Sequence, residues 1–177
     1  MRFLNILLLL LCLLLPASAF SEQEGMDLLT PVEMAASEDA QTLDLYCGPT
    51  QGFYRHEEQT LDLGQPYVFF GQYDCWAMVA QGTAEQFGPV GWVEAGSLAD
   101  VPYEPQLGFE NGFAATVEET AALTDNPLAD DPFGGWTFSL APGAPITVLA
   151  QYGDWLYVQA TIEDTPVRAF IAAKTVL

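Results

Sequence analysis

Residues 64–79, GQPYVFFGQYDCWAMV, return 79 positions later as residues 143–158, GAPITVLAQYGDWLYV, with six of the sixteen positions identical. Most of the other positions keep their apolar or small character. In each copy a Gly-x-Pro turn opens an apolar run, a Gln-Tyr turn follows, and a run beginning with Trp closes the unit. Tyr67–Phe70 and Ile146–Leu149 are short apolar runs, rich in β-branched and aromatic residues and bounded by Gly and Pro, which predicts strands rather than helices. Side chains in Trp76–Val79 and Trp155–Val158 then alternate across a sheet, and one face must turn inward. The paired runs read as hairpins.

Working outward, an offset of 78 aligns Gly91-Trp92-Val93 with Ala169-Phe170-Ile171, and Leu45-Tyr46-Cys47-Gly48-Pro49 with Leu123-Thr124-Asp125-Asn126-Pro127. The same parts therefore occur in the same order twice, which marks an internal duplication. The units are placed at residues 42–98 and 113–177, each with about five short strands, joined by a Pro- and Gly-punctuated linker over 99–112. Helix is only a marginal prospect, in Phe113–Leu123. The fold class is all-β.

The N-terminal end reads differently. A basic Met1-Arg2, an apolar run of 13 residues from Phe3 to Leu15, Pro16 and the small-x-small tripeptide Ala17-Ser18-Ala19 predict a signal peptide over 1–19, cleaved after Ala19. The run falls short of the ~18–20 residues of a permanent span. Cys12 lies within the Leu run, behind Leu11 and not at its end, which argues against a lipoprotein. Residues 20–41 carry six carboxylates and no cation, and read as a solvated tether or a short loose helix. A periplasmic or secreted location follows, with no stable membrane span after processing.

Charge narrows the partners. The chain has 24 acidic and four basic residues, a formal charge of −20. Removal of 1–19 takes away one cation and no carboxylate, leaving 158 residues at −21. Nucleic acid is excluded as a partner, because three cations cannot neutralise a useful number of phosphates. Anionic lipid surfaces are disfavoured for the same reason. At 50% hydrophobic and 12% aromatic the chain is too apolar for disorder, so the charge belongs on a folded surface. In an oxidising compartment the two cysteines of the processed chain, Cys47 and Cys75, have a disulfide as their default state and buried free thiols as the alternative.

Leu43–Pro49, Gly64–Phe70, Trp76–Val79 and Gly88-Pro89-Val90-Gly91-Trp92-Val93, taken in order, resemble the bacterial SH3-like (SH3b) family of exported and cell-wall-associated proteins. The second unit resembles it less closely, with Asn126-Pro127 for Gly-Pro and Ala169-Phe170-Ile171 for Gly-Trp-Val. The resemblance implies two small SH3-like β-barrels in tandem. It also implies that Cys47 ends the first strand and Cys75 precedes the Trp strand, so that a bond would tie the first barrel to itself. Peptidoglycan stem peptides are the ligand class it brings.

Candidate chemistry is sparse. Asp74-Cys75-Trp76-Ala77-Met78-Val79 is similar to the nucleophile motif of NlpC/P60 cell-wall peptidases, but that chemistry needs a histidine downstream to activate the thiol, and the sole histidine, His56, lies upstream. No catalytic residue is assigned. Cys47, His56 and Cys75 lack zinc-ligand spacing, and Asp125, Asn126, Asp130 and Asp131 lack a calcium-loop register, so no metal or cofactor is expected. The binding candidates are the aromatics Tyr73, Trp76 and Trp92 in one unit and Tyr152, Trp155 and Phe170 in the other, either lining a shallow groove or filling the cores. The expected function is non-enzymatic recognition of a peptide or protein partner. The alternatives are a structural or assembly subunit of an envelope complex and an accessory to a cell-wall peptidase.

Overall fold

The computed structural model describes residues 26–38, 40–129 and 137–177, excluding the side chains of 56–58 and 137; the expected signal segment with its Ala19 site lies outside them. The chain is all-β, in two sheets. The first contains β2 (Val32–Met34), β3 (Thr42–Tyr46), β4 (Arg55–Asp62), β5 (Tyr67–Tyr73), β6 (Trp76–Gly82) and β7 (Phe87–Glu94), in the order β2-β5-β6-β7-β3-β4. The second contains β8 (Phe113–Thr116), β9 (Ala121–Thr124), β10 (Thr137–Leu140), β11 (Pro145–Tyr152), β12 (Trp155–Ile162) and β13 (Thr165–Ala172). Its pairings repeat that order, with β8 on β11 and then β12-β13-β9-β10. A short β1 (Asp27–Leu28) adds to β11 in parallel. Both hairpins fall where the repeat placed them, with Tyr73 opposite Trp76 and Tyr152 opposite Trp155.

One expectation is corrected and two segments gain detail. Neither sheet closes into a barrel among the described residues, because each path ends on strands that do not pair with each other. Phe113–Leu123 is not helical but contributes to β8 and β9. Described residues within 20–41 and 99–112 pack onto the sheets. Leu29 N–H donates to Gln151 O at 2.8 Å, and Leu107 N–H donates to Gln72 O at 2.7 Å. These contacts are equivalent under the repeat, and both leucines are buried. The acidic residues around them hid this, since a single buried leucine leaves no period to read. At Gly71 a side chain would meet Leu107 at 2.6 Å, so the second unit's first segment rests on a bare backbone in the first unit.

Each sheet is covered on both faces. One face of the first sheet packs Leu45, Leu61, Phe69, Val79 and Val93 into its own core, and the second sheet does the same with Leu123, Val148, Leu156, Val158 and Ile171. The opposite faces meet each other. Val68, Phe70, Met78 and Trp92 pack against Leu149, Ala150, Tyr157 and Phe170 in one cluster spanning both units. This explains why β5 and β6 are buried over five consecutive residues instead of alternating.

A pseudo-twofold relation organises the junction. Arg168 N–H donates to Cys47 O, and Val90 N–H donates to Asp125 O, both at 2.8 Å. Each closing strand thus bonds to the end of the other unit's opening strand. At the centre, Trp92 Nε1–H donates to Tyr157 Oη at 2.7 Å, with both residues buried. Trp92→Phe and Tyr157→Phe are each expected to cost about 1–3 kcal/mol in urea unfolding, since each strands a buried polar group. The double variant costs less than the sum, and both units unfold in a single transition because they share a core face.

An acidic aromatic cleft in the first unit

The six predicted aromatics converge on the junction instead of forming one groove per unit. Trp76, Trp92 and Phe170 belong to the shared cluster, and Tyr73, Tyr152 and Trp155 pack against it. Tyr152 meets Phe70, Phe87 and Phe170 edge-on. Tyr73 stacks on Phe109 of the presumed linker, with ring centroids 5.6 Å apart. Burial draws these rings together, which is why composition could place them but their spacing could not show which of them face outward.

Part of the cluster is an aromatic cage around a cation. The Arg168 guanidinium carbon lies 5.1 Å from the Phe109 ring centroid, 5.4 Å from Phe53, 5.5 Å from Tyr73 and 5.9 Å from Trp92. Its Nε–H donates to Gln159 Oε1 at 3.1 Å. Burial lowers its pKa from the ordinary arginine value, partly offset by the Tyr157 and Tyr73 hydroxyls. An arginine remains charged under such a shift, and ring faces supply part of the field that water has lost. The equivalent position in the first unit is Val90, so the two sides of the junction are not alike. The cage is filled by the chain itself and offers a ligand no room.

Trp76 has a second environment. A cleft of about 160 Å³ is lined by Leu43, Asp44, Tyr46, Gln51, Trp76, Val93, Glu94 and Ser97. Trp76 and Tyr46, which meet edge-on at 5.6 Å, give it an aromatic floor, while the side chains of Leu43 and Val93 belong to the first unit's own core on the other face of the sheet. Strand pairing assembles it. Tyr46 lies across from Trp92 and Trp76 across from Glu94, so Asp44 and Glu94 flank the β3–β7 contact. Both carboxylates are exposed, and Arg55 Nη2 donates to Asp44 Oδ1 at 2.7 Å. Ser97, on the 3-10 turn Ala95–Ser97, forms a further edge.

The second unit is an internal control. There Trp155 lies across from Ala172 and Thr124 across from Phe170, and the position matching Asp44 is Ala122. The backbone arrangement is kept, but both carboxylates and the tyrosine are gone. Asp44, Tyr46 and Glu94 were missed at the level of single motifs. The signal that finds them is already in the repeat: an Asp, a Tyr and a Glu in one copy stand opposite Ala, Thr and Ala in the other.

The remaining candidates stay apart. Cys47 and Cys75 are both free, which overturns the expected disulfide. Cys47 is buried in the core of the second unit, beside residues such as Ala115 and Leu123, whereas Cys75 is exposed in the β5–β6 turn with its Sγ 3.8 Å from Asp74 Oδ2. Burial pushes the Cys47 thiol up to about 11. Asp125, the repeat equivalent of Cys47, is buried too, and burial raises its carboxyl to about 6. Among the described residues no group of three or more His, Cys, Asp or Glu is placed to hold a metal, and none includes Asp130 or Asp131, which lie outside them. No helix among them is long and apolar enough to cross a membrane. Comparison of the chain with protein-family models, with curated proteins and with solved structures returns no match in any of the three.

Two measurements follow from these groups. Native protein at pH 8 should take up one carbamidomethyl group from iodoacetamide, at Cys75, and a second only after denaturation, with an intact nonreduced mass showing two thiols. For Asp125 the folded pKa is raised, so the folded state gives up its proton less readily than the unfolded chain. Stability therefore falls as pH rises from about 4 through about 6, at a cost of roughly 2–3 kcal/mol at pH 7. Asp125→Asn should flatten this part of the stability profile and raise the urea midpoint at pH 7.

Proposed function

We propose that this chain is an exported, non-enzymatic binding protein built from two SH3b-like units, in which the Tyr46–Trp76 cleft of the first unit recognises a peptide or protein partner. The observation that carries this reading is the difference between the copies. Two units with one strand order keep the same backbone arrangement at this place, yet only the first combines an apolar floor with a Tyr, an Asp and a Glu. A feature required for folding alone would be needed in both. The second unit serves instead as a support, lending the first a shared core face. Export rests on the leader sequence, and the SH3b-like character on the residues that resemble that family.

The size of the cleft sets the kind of contact. Drug-sized ligands occupy roughly 300–1,000 Å³. A cleft of about 160 Å³ takes a single side chain, with the rest of a peptide running over the surface. Cys75 is not given a catalytic role, because the chemistry would need a base and its observed neighbour is a carboxylate.

The test is retention of the purified processed chain on an immobilised library of acetylated, amidated hexapeptides, with isolated peptidoglycan sacculi as a parallel matrix. Ser97→Trp, which fills the cleft from its 3-10 edge, should lower retention at least tenfold, and Glu118→Trp on the second unit should leave it unchanged. Equal retention by Ser97→Trp, or none on either matrix by the unmodified chain, overturns the reading.

A further inference from the structure

We infer that the ligand group seated in this cleft is a basic side chain, a lysine or arginine of a peptide segment, one per chain; this rests on the reading of the cleft given above. Two chemistries meet there. The Tyr46 and Trp76 rings make an apolar floor, while the rim carries the exposed carboxylates of Asp44 and Glu94. Lysine and arginine have this same division, with three or four methylenes beneath a charged head. The stem covers the floor as the head reaches the rim. An aliphatic side chain would cover the floor but draw water away from two carboxylates without replacing it. An acidic one would be repelled.

Three further observations agree. The chain's own Arg55 reaches Asp44 at 2.7 Å, so one rim carboxylate is placed to hold a guanidinium. This pair is exposed at both ends, and such pairs contribute little to stability, so an incoming cation displaces it readily. Arg168 shows that rings of this fold accept a guanidinium among them. Finally, a formal charge of −20 on the chain favours the approach of cations over anions. The second unit, with Ala122, Thr124 and Ala172 at the matching positions, has lost the rim and takes no second ligand.

Arg55 thus acts as an internal competitor. Its removal makes the cleft more negative and frees Asp44, so Arg55→Gln should bind a basic peptide two- to fivefold more tightly. The opposite change, Glu94→Gln, should weaken binding three- to tenfold. Both positions are exposed, so the fold is kept.

The experiment is an NMR titration of the isotope-labelled processed chain at low salt with Ac-Gly-X-Gly-NH2, where X is Lys, Arg, Leu or Glu. The Lys and Arg peptides are expected to shift the Trp76 indole N–H and the Glu94 and Ser97 amides saturably, at one site per chain, with at least fivefold loss in 0.5 M salt. The Leu peptide should bind at least tenfold more weakly and the Glu peptide leave these signals unmoved. If the Leu peptide saturates the cleft as well as the Lys peptide does, the basic-ligand inference falls while the binding reading stands. Shifts spread over the acidic surface without saturation at the cleft, silence from all four peptides, or weaker binding by Arg55→Gln also overturn it. The binding reading itself fails only on the Ser97→Trp and library results.

Discussion

The hydrogen bond from Trp92 to Tyr157, set among rings that also hold the Arg168 guanidinium, fixes how the two units meet, and the rest of the molecule is arranged around it. A small sheet with one covered face exposes too much apolar surface to be stable alone. Here each sheet covers its second face with the other's. The backbone bonds from Arg168 to Cys47 and from Val90 to Asp125 then lock the relation from two sides. What results is one core in three layers, with Leu29 and Leu107 closing equivalent edges.

The internal repeat made much of this legible. An offset of 79 at the hairpins and 78 at the closing strands predicts the observed registers, down to Tyr73 opposite Trp76 and Tyr152 opposite Trp155. The continuous apolar runs of β5 and β6 carried more information than was drawn from them. A strand buried on both faces needs two covers, and only one could be a core of its own unit. The other cover was a matter of tertiary pairing between residues such as Trp92 and Tyr157, 65 positions apart, which no local pattern encodes. The strand and leucine anchors within 20–41 and 99–112 are hard to read for a related reason: the surrounding carboxylates, Pro and Gly resemble a solvated segment, and the anchors are single side chains.

Asymmetry within the repeat distinguishes the junction from the cleft. Where the pair differs at the junction, Val90 matches Arg168, Met78 matches Tyr157, and Cys47 matches Asp125. The second member in each case brings a polar atom, and each is buried enough for its ionisation to be disfavoured. At Tyr157 and Arg168 bonds to Trp92 and Gln159 compensate part of that cost. The differences at the cleft have another character, because Asp44 and Glu94 are exposed and Ala122 and Ala172 would serve the fold as well.

Exposed carboxylates beside a small apolar floor are common on an acidic surface, so position decides their meaning. Glu94 stands directly across from Trp76, on the strand whose preceding residues, Trp92 and Val93, fill the two core layers. The floor is therefore as rigid as the core beneath it, and a side chain entering the cleft meets a surface already in place. On the proposed reading, the protein's own ordering cost is confined to the exposed rim side chains Asp44, Glu94 and Arg55. The buried junction and the open cleft are two ends of one strand pair, β6 with β7, and the packing that joins the units also holds the cleft in shape.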